Sequence, residues 1–383
     1  MTFSSHLIVA GMVALTGGMA VPAFAAAGTA PSWAFQSLRN PGGRYGTVLT
    51  GVSCPAVKTC FAVGAKGGKG GQTLPVAERW TGRTWAVQAL PRVKNGFLIG
   101  VWCSSARACI AVGDLPGQGL AMRWNGRKWV IQRLPAAPGA DVELDAVSCW
   151  SPRACTAVGS EGSNTLAEHW NGSKWTIQPT RNPPTGGIDG NELVGVSCSS
   201  ATSCTAVGDS NITNSKSDTL VERWNGRTWT IQPTPKRPDG NESQLTGVSC
   251  RSARACIAIG ASGNVNHEVT LAERWNGRTW AVQPSPDPAG GTLSVLTGLS
   301  CSSATACIAV GNYSSESGNE VVLAERWNGR TWAIQSTPKP AGAKASALFE
   351  VSCSSATVCT SVGVFANKSA VQQSFGERYS SGS

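Results

Sequence analysis

Short apolar runs, separated by Gly, Asn, Ser and Pro, recur along the chain in a fixed order. The stretch Leu296 to Gln335, "LTGLSCSSATACIAVGNYSSESGNEVVLAERWNGRTWAIQ", holds four of them. "LTGLSC", "CIAVG", "VVLAERW" and "TWAIQ" each have strand length, and turn-forming residues bound them. We call these strands A to D. A proline-rich stretch then leads to the next unit. "AERWNGRTWAVQ", Ala272 to Gln283, has close copies along the whole chain. The first cysteines of successive units lie 49, 46, 49, 52, 51 and 52 residues apart. A period near fifty signals a repeat architecture, in which each unit is one supersecondary element.

The turns follow from their residues. "NG" between two apolar runs is a strong hairpin signal, because both central residues of a type I′ turn need positive φ. It occurs at Asn125, Asn171, Asn225, Asn276 and Asn328, and Thr81-Gly82 takes its place in the first unit. In a two-residue turn Trp327 pairs with Arg330 and Glu325 with Trp332. Alternation then puts all four on one face, as a layer that fills the gap between neighbouring sheets. Sugar stacking is the other role two tryptophans offer. The A–B hairpin is expected to have a five-residue loop with its ends clamped by a cysteine pair.

Seven four-stranded antiparallel sheets can be arranged radially, which protects their edges. We therefore expect an all-β, seven-bladed β-propeller. The chain ends support it. The last unit stops at "FGERYSSGS", with Tyr379 in the first tryptophan's place and no strand D after it. "PSWAFQS", Pro31 to Ser37, looks like an isolated strand D. It is expected to complete the seventh sheet and close the ring.

"AVG", "ERW", "NG", "TW" and "QPSP" resemble, in order, the marks of the kelch repeat found in galactose-oxidase-type propellers. The resemblance covers nearly all of residues 28–383. It departs in a mostly single glycine after strand B, in Trp where Tyr is usual, and in a cysteine pair in every unit. Secreted repeat proteins of actinobacteria resemble this Cys/Trp variant. The "GRTW" turn is only weakly similar to the Asp-box of sialidase-type propellers, whose Ser and Asp are missing. Kelch-type propellers imply protein or sugar binding more than catalysis, and fold alone does not settle function.

The cysteine count narrows the compartment. Fourteen cysteines form seven C-x5-C pairs: Cys54–Cys60, Cys103–Cys109, Cys149–Cys155, Cys198–Cys204, Cys250–Cys256, Cys301–Cys307 and Cys353–Cys359. An even count in an exported chain means disulfides before metal sites. Each short loop so closed contributes about 2 kcal/mol on a chain-entropy argument. "HLIVAGMVALTGGMAVPAFA" reads as a secretory signal ending at the Ala23-Phe24-Ala25 pattern. Residues 1–27 are expected to be removed, leaving 28–383 as one soluble, monomeric propeller, secreted or attached to the cell wall. A membrane anchor competes, but Gly11, Gly17, Gly18 and Pro22 break the apolar run.

Charge divides by position. The formal net charge is +10. The A–B and C–D turns carry twelve bases and no acid: Lys58, Arg83, Arg107, Arg127, Lys128, Arg153, Lys174, Arg227, Arg251, Arg254, Arg278 and Arg330. The "ERW" strands carry six charges of each sign, which cancel on this reading. The fourteen remaining bases and sixteen acids fall in the B–C loops and blade connections. A face of one charge attracts polyanions, such as an anionic wall polymer, an acidic polysaccharide or shed nucleic acid. Base recognition is not expected, since Trp150 is the one aromatic in those turns.

The opposite face carries the loops that differ between units, which is how a repeated scaffold presents an asymmetric site. Candidate contacts there are Arg44, Tyr45, Asp209, His267, Glu268, Tyr313 and Phe365, each of which is also an ordinary loop residue. Asp189-Asn191-Glu192 and Asp239-Asn241-Glu242 group calcium-type ligands without the spacing of a known calcium loop. No nucleophile–base motif, metal motif or cofactor is implied. Copper-radical oxidation would need tyrosines and a free cysteine. The chain has three tyrosines, and all its cysteines are paired. The expected function is binding of an extracellular glycan, wall polymer or protein. A glycoside hydrolase or polysaccharide lyase with loop carboxylates is the enzymatic alternative, and a passive scaffold is the third reading.

Overall fold

A computed structural model describes residues 31–135, 141–184, 190–213, 216–236, 242–264 and 266–381. The expected leader lies outside these residues. The strands form seven four-stranded antiparallel sheets, the blades of a propeller. Blade 6 shows the plan: Ser294–Ser303, Ala306–Ser314, Glu320–Trp327 and Trp332–Ile334 are its strands A to D. Strands A of successive blades touch in circular order, and blade 7 returns to blade 1, so they surround the axis. In blade 7, Ala345–Ser355, Val358–Ala366 and Gln372–Ser380 are completed by Ser32–Gln36. Trp33 lies opposite Tyr379, with ring centroids 5.5 Å apart. The two ends of the chain are therefore joined within one sheet.

The seven disulfides each lie within one blade, and no described cysteine is free. Their position corrects the expected A–B loop. The cysteines face each other inside strands A and B, and the strands run on to pair Ser303 with Ala306. The turn beyond is shorter than expected, and a register shift after the first cysteine absorbs the extra residue.

The C–D turn also differs from expectation. Trp327 lies opposite Trp332, not Arg330, and Glu325 lies opposite Ile334. Asn328 to Thr331 form a four-residue turn. Asn328 Oδ1 accepts the Arg330 and Thr331 amides at 2.8 and 2.9 Å. Of Asn328 and Gly329 only the glycine has positive φ, at +94°, so the turn is not type I′. The asparagine is there for its side-chain acceptor. Arg330 is left exposed, outside the tryptophan layer.

That layer is the core. The two indoles of blades 1 to 6 meet at 5.6–5.9 Å with planes tilted 41–47°. Trp170 and Trp175 of blade 3 pack on Ile110, Val112 and Ala121 of blade 2, and the other blades repeat this contact. The glycine of "AVG" belongs to the same close packing: a Cβ on Gly64 would strike the backbone of Val48 and Leu49.

Nothing in the strand pattern pointed to the polar tie around the axis. The serine before each first cysteine accepts the backbone N–H of the corresponding cysteine in the next blade. Ser53 takes the Cys103 amide at 2.9 Å, and Ser148, Ser197, Ser249 and Ser300 act alike. Ser352 takes the Cys54 amide at 2.9 Å across the closure. In blade 2, Trp102 replaces this serine and packs against the blade 2–3 core instead.

Ser352→Ala should cost about 1–3 kcal/mol, the penalty for leaving a buried N–H unpaired. Trp33→Ala should cost about 3–5 kcal/mol by opening a cavity at the closure. Denaturant unfolding of both variants, with unaltered stability in either case, would disprove that the closure carries load.

Candidate functional site

The two faces are distinct. Gly82, Gly126, Gly172 and Gly277 of the C–D turns sit against Lys58, Arg107, Arg153 and Arg254 of the A–B turns. Both sets of turns therefore lie together. The blade connections run beside the B–C loops at the other end: Asn191 N–H donates to Ser163 O at 3.1 Å, and Lys344 N–H to Ala366 O at 3.0 Å. All twelve turn bases are exposed. Among them, Arg251 Nη1 donates to Cys301 O at 3.5 Å.

The acid and base of "ERW" do not cancel where they stand, because they point to opposite sides of the strand. Arg223 and Arg378 reach the carbonyls of Ala253 and Val57, in the A–B turns of the next blade, at 2.6 and 2.8 Å. The glutamates are buried, and three of them hold the connection arriving from the preceding blade. Glu78 accepts the Arg39 amide at 3.2 Å, Glu222 the Arg181 amide at 3.0 Å, and Glu325 the Ser285 hydroxyl at 2.7 Å. Burial pushes Glu168, Glu222 and Glu325 up to about 7 and Glu377 up to about 8. Blade 2 replaces this glutamate with Met122, and Leu90 of the arriving connection packs in the same cluster. The positive charge of the turn face thus exceeds the twelve turn bases.

Four of the seven proposed contact residues lie in a turn or where a loop gives way to a strand. Arg44 and Tyr45 share a short turn, where Arg44 Nη2 donates to the Tyr45 hydroxyl at 2.6 Å and the guanidinium lies 4.8 Å from the ring centre. His267 and Glu268 open strand C of blade 5, and Glu268 accepts from Gln244 Nε2 at 3.5 Å. The other three belong to strand B, because that strand runs further than the loop reading allowed. Tyr313 packs on the blade 5–6 core, and Phe365 meets Phe375 edge-on at 5.9 Å. Asp209 is buried in blade 4. A cleft of about 390 Å³ between blades 2 and 3, lined by Arg133, Trp170, Lys174 and Trp175, does not unite these residues.

Asp209 belongs to a carboxylate cluster on blades 2 to 4 that the sequence reading did not assemble. It comprises Asp114, Glu143, Asp145, Glu192 and Asp209; burial and the neighbouring carboxylates together raise the proton affinity of Asp114, Asp145 and Glu192. Burial and then Glu143 push Asp145 up to about 7 and Asp114 up to about 6. Burial and then Asp209, its hydrogen-bonded neighbour, raise Glu192 well above the carboxylate range. Asp145 occupies the strand A bulge, the position held by Thr50, Thr246 and Thr297 elsewhere. There Thr50 and Thr297 donate to Leu98 O and Leu348 O of the next blade, at 3.0 and 2.8 Å. The signal was "ELDA" where three other units read "LTG". Among the described residues no three metal-ligating side chains are grouped to hold an ion. Asp189, Asp239 and Asn241 of the calcium reading lie outside the described residues, and the Asn191 amide is turned to Pro183 O at 3.2 Å.

Seven-bladed propellers of known structure share the fold. One is YCF48 bound to D1 peptide, with TM-score 0.54 and 13% identity over 96% of this chain and 99% of that one. YCF48 from Cyanidioschyzon merolae aligns at 0.57 and 13% over 91% and 99%. The RRP9 WD40 repeats align at 0.59 and 10% over 92% and 99%. No family model and no curated protein matches the chain.

The buried acids have a predictable consequence for stability. Glu168, Glu222, Glu325 and Glu377 each keep a proton in the fold that the unfolded chain releases above about 4.5, the ordinary glutamate value. Their contribution is largest below that pH and declines as pH rises to about 8, the value of Glu377. The melting temperature should therefore rise on acidification from about pH 8.5 to about pH 5.5. Combining Glu168→Gln, Glu222→Gln, Glu325→Gln and Glu377→Gln should narrow the difference; a profile these substitutions leave unchanged would refute the assignment.

Proposed function

We propose that the chain is an extracellular binding propeller that holds a protein or glycan partner against its loop-bearing face. The observation that carries this reading is the division of the repeat. The tryptophan layer, the Ser–Cys tie and the turns recur from blade to blade, while the B–C loops and connections differ. The carboxylate cluster breaks the symmetry again, on blades 2 to 4 only. Seven disulfides fit an oxidising extracellular compartment. The kelch-type marks point the same way, and a structural neighbour is a propeller bound to a peptide.

Arg44 and Tyr45 are the exposed contacts best suited to anchor a partner, since Arg and Tyr dominate binding energy at interfaces. The mature chain, applied to glycan and peptide arrays, should give discrete hits. Combining Arg44→Ala with Tyr45→Ala should weaken a hit about tenfold or more, without changing the melting temperature. Arrays without a hit would count against the proposal, as would hits indifferent to the double substitution.

The hydrogen-bonded pair Glu192 and Asp209 favours a second reading, a glycoside hydrolase. A carboxyl held protonated beside a carboxylate is what acid-assisted glycoside cleavage requires. On that reading Glu192→Gln abolishes polysaccharide turnover and spares binding; a chain that cleaves nothing on the arrays removes it.

A further inference from the structure

We infer that the turn face is a second, separate docking surface, and that it fits a linear phosphodiester polymer without bases, of the polyol-phosphate type. The face is built entirely of one sign. Its twelve turn bases are exposed and no acid stands among them. The "ERW" arginines add to it, since Arg223 and Arg378 extend their guanidinium groups to the neighbouring A–B turns. Their partner glutamates are sealed between blades and do not reach this face.

The residue type selects the ligand chemistry. Nine of the twelve turn bases, and all six of the strand bases, are arginine. A guanidinium fork matches two oxygens of a phosphodiester, and arginine holds such groups with more geometry than lysine does. The turn bases occupy blades 1 to 6 and avoid blade 7, so they form an arc rather than a pocket. An arc of separated cations fits a chain of regularly spaced anions better than a compact anion. Aromatic side chains that would stack bases are missing from these turns except for Trp150, which is 56% exposed. That sets single-stranded nucleic acid aside.

The surface is independent of the loop-face reading, because it lies at the other end of every strand. The test uses the full mature chain and immobilised poly(glycerol phosphate) at about 50, 100 and 200 mM salt, where phosphate contacts give a steep salt dependence. Affinity should fall on the order of a hundredfold across that range. Combining Arg83→Gln, Arg127→Gln, Arg278→Gln and Arg330→Gln should weaken binding about tenfold or more at the lowest salt and flatten the slope. A matched variant on the loop face, Lys69→Gln, Arg92→Gln, Lys94→Gln and Lys368→Gln, removes equal charge and should change affinity less than about twofold. Near-ultraviolet circular dichroism reports whether each variant keeps its fold, and the salt slope of the unaltered chain needs no variant. The inference is overturned by absent binding at the lowest salt, by a flat salt dependence, or by equal losses in the two variants. Heparin, polyglutamate or duplex DNA binding as tightly as poly(glycerol phosphate) would equally overturn it.

Discussion

At six of the seven joints a blade is tied to the preceding one through one backbone N–H near the axis. The serine before the first cysteine accepts the N–H of the next blade's cysteine, and Ser352 carries the series across the chain ends to Cys54. A sheet edge facing the axis would leave such N–H groups unsatisfied, at a cost larger than the bond's net gain. The disulfide of each blade holds the same cysteine on strand B. The first cysteine of every blade except the third is thus fixed twice, covalently within its blade and by a hydrogen bond to the preceding one.

Outside this ring the blades separate, and the tryptophan pairs fill the widening gap. The cost is that a glutamate is buried beside them. Glu78, Glu222 and Glu325 offset part of it by accepting from the connection that enters their blade. The rest appears as raised proton affinity, the usual result of desolvating a carboxylate. Where Met122 replaces the glutamate, an apolar connection residue, Leu90, packs with it. The glutamate therefore belongs to the blade-to-blade joint and not to a charge pair with the adjacent arginine.

The same alternation creates the polarity of the molecule. Successive residues of strand C point to opposite sides, so the acid goes into the joint while the arginine stays near the turns. One end of the ring is then cationic. The other carries the varied loops and, on blades 2 to 4, a set of mutually repelling carboxylates near the axis. Two chemically opposed surfaces thus lie at opposite ends of the strands.

Much of this was readable in the primary structure, because a repeat of about fifty residues states each local rule several times over. Seven cysteine pairs, seven A–B–C runs and a stray strand at Trp33 require seven sheets and a closure, and composition sorts the turns from the loops. Contacts between blades were not readable, since no local pattern records them. The Trp327–Trp332 pairing depended on how many residues the turn uses, which Asn328 sets through its side chain. The serine tie and the glutamate joint link positions about forty to fifty residues apart, or some three hundred at the closure. The carboxylate cluster draws on three blades. Each of these exists only once the strands surround a common axis, because that arrangement alone brings equivalent positions of different units within bonding distance.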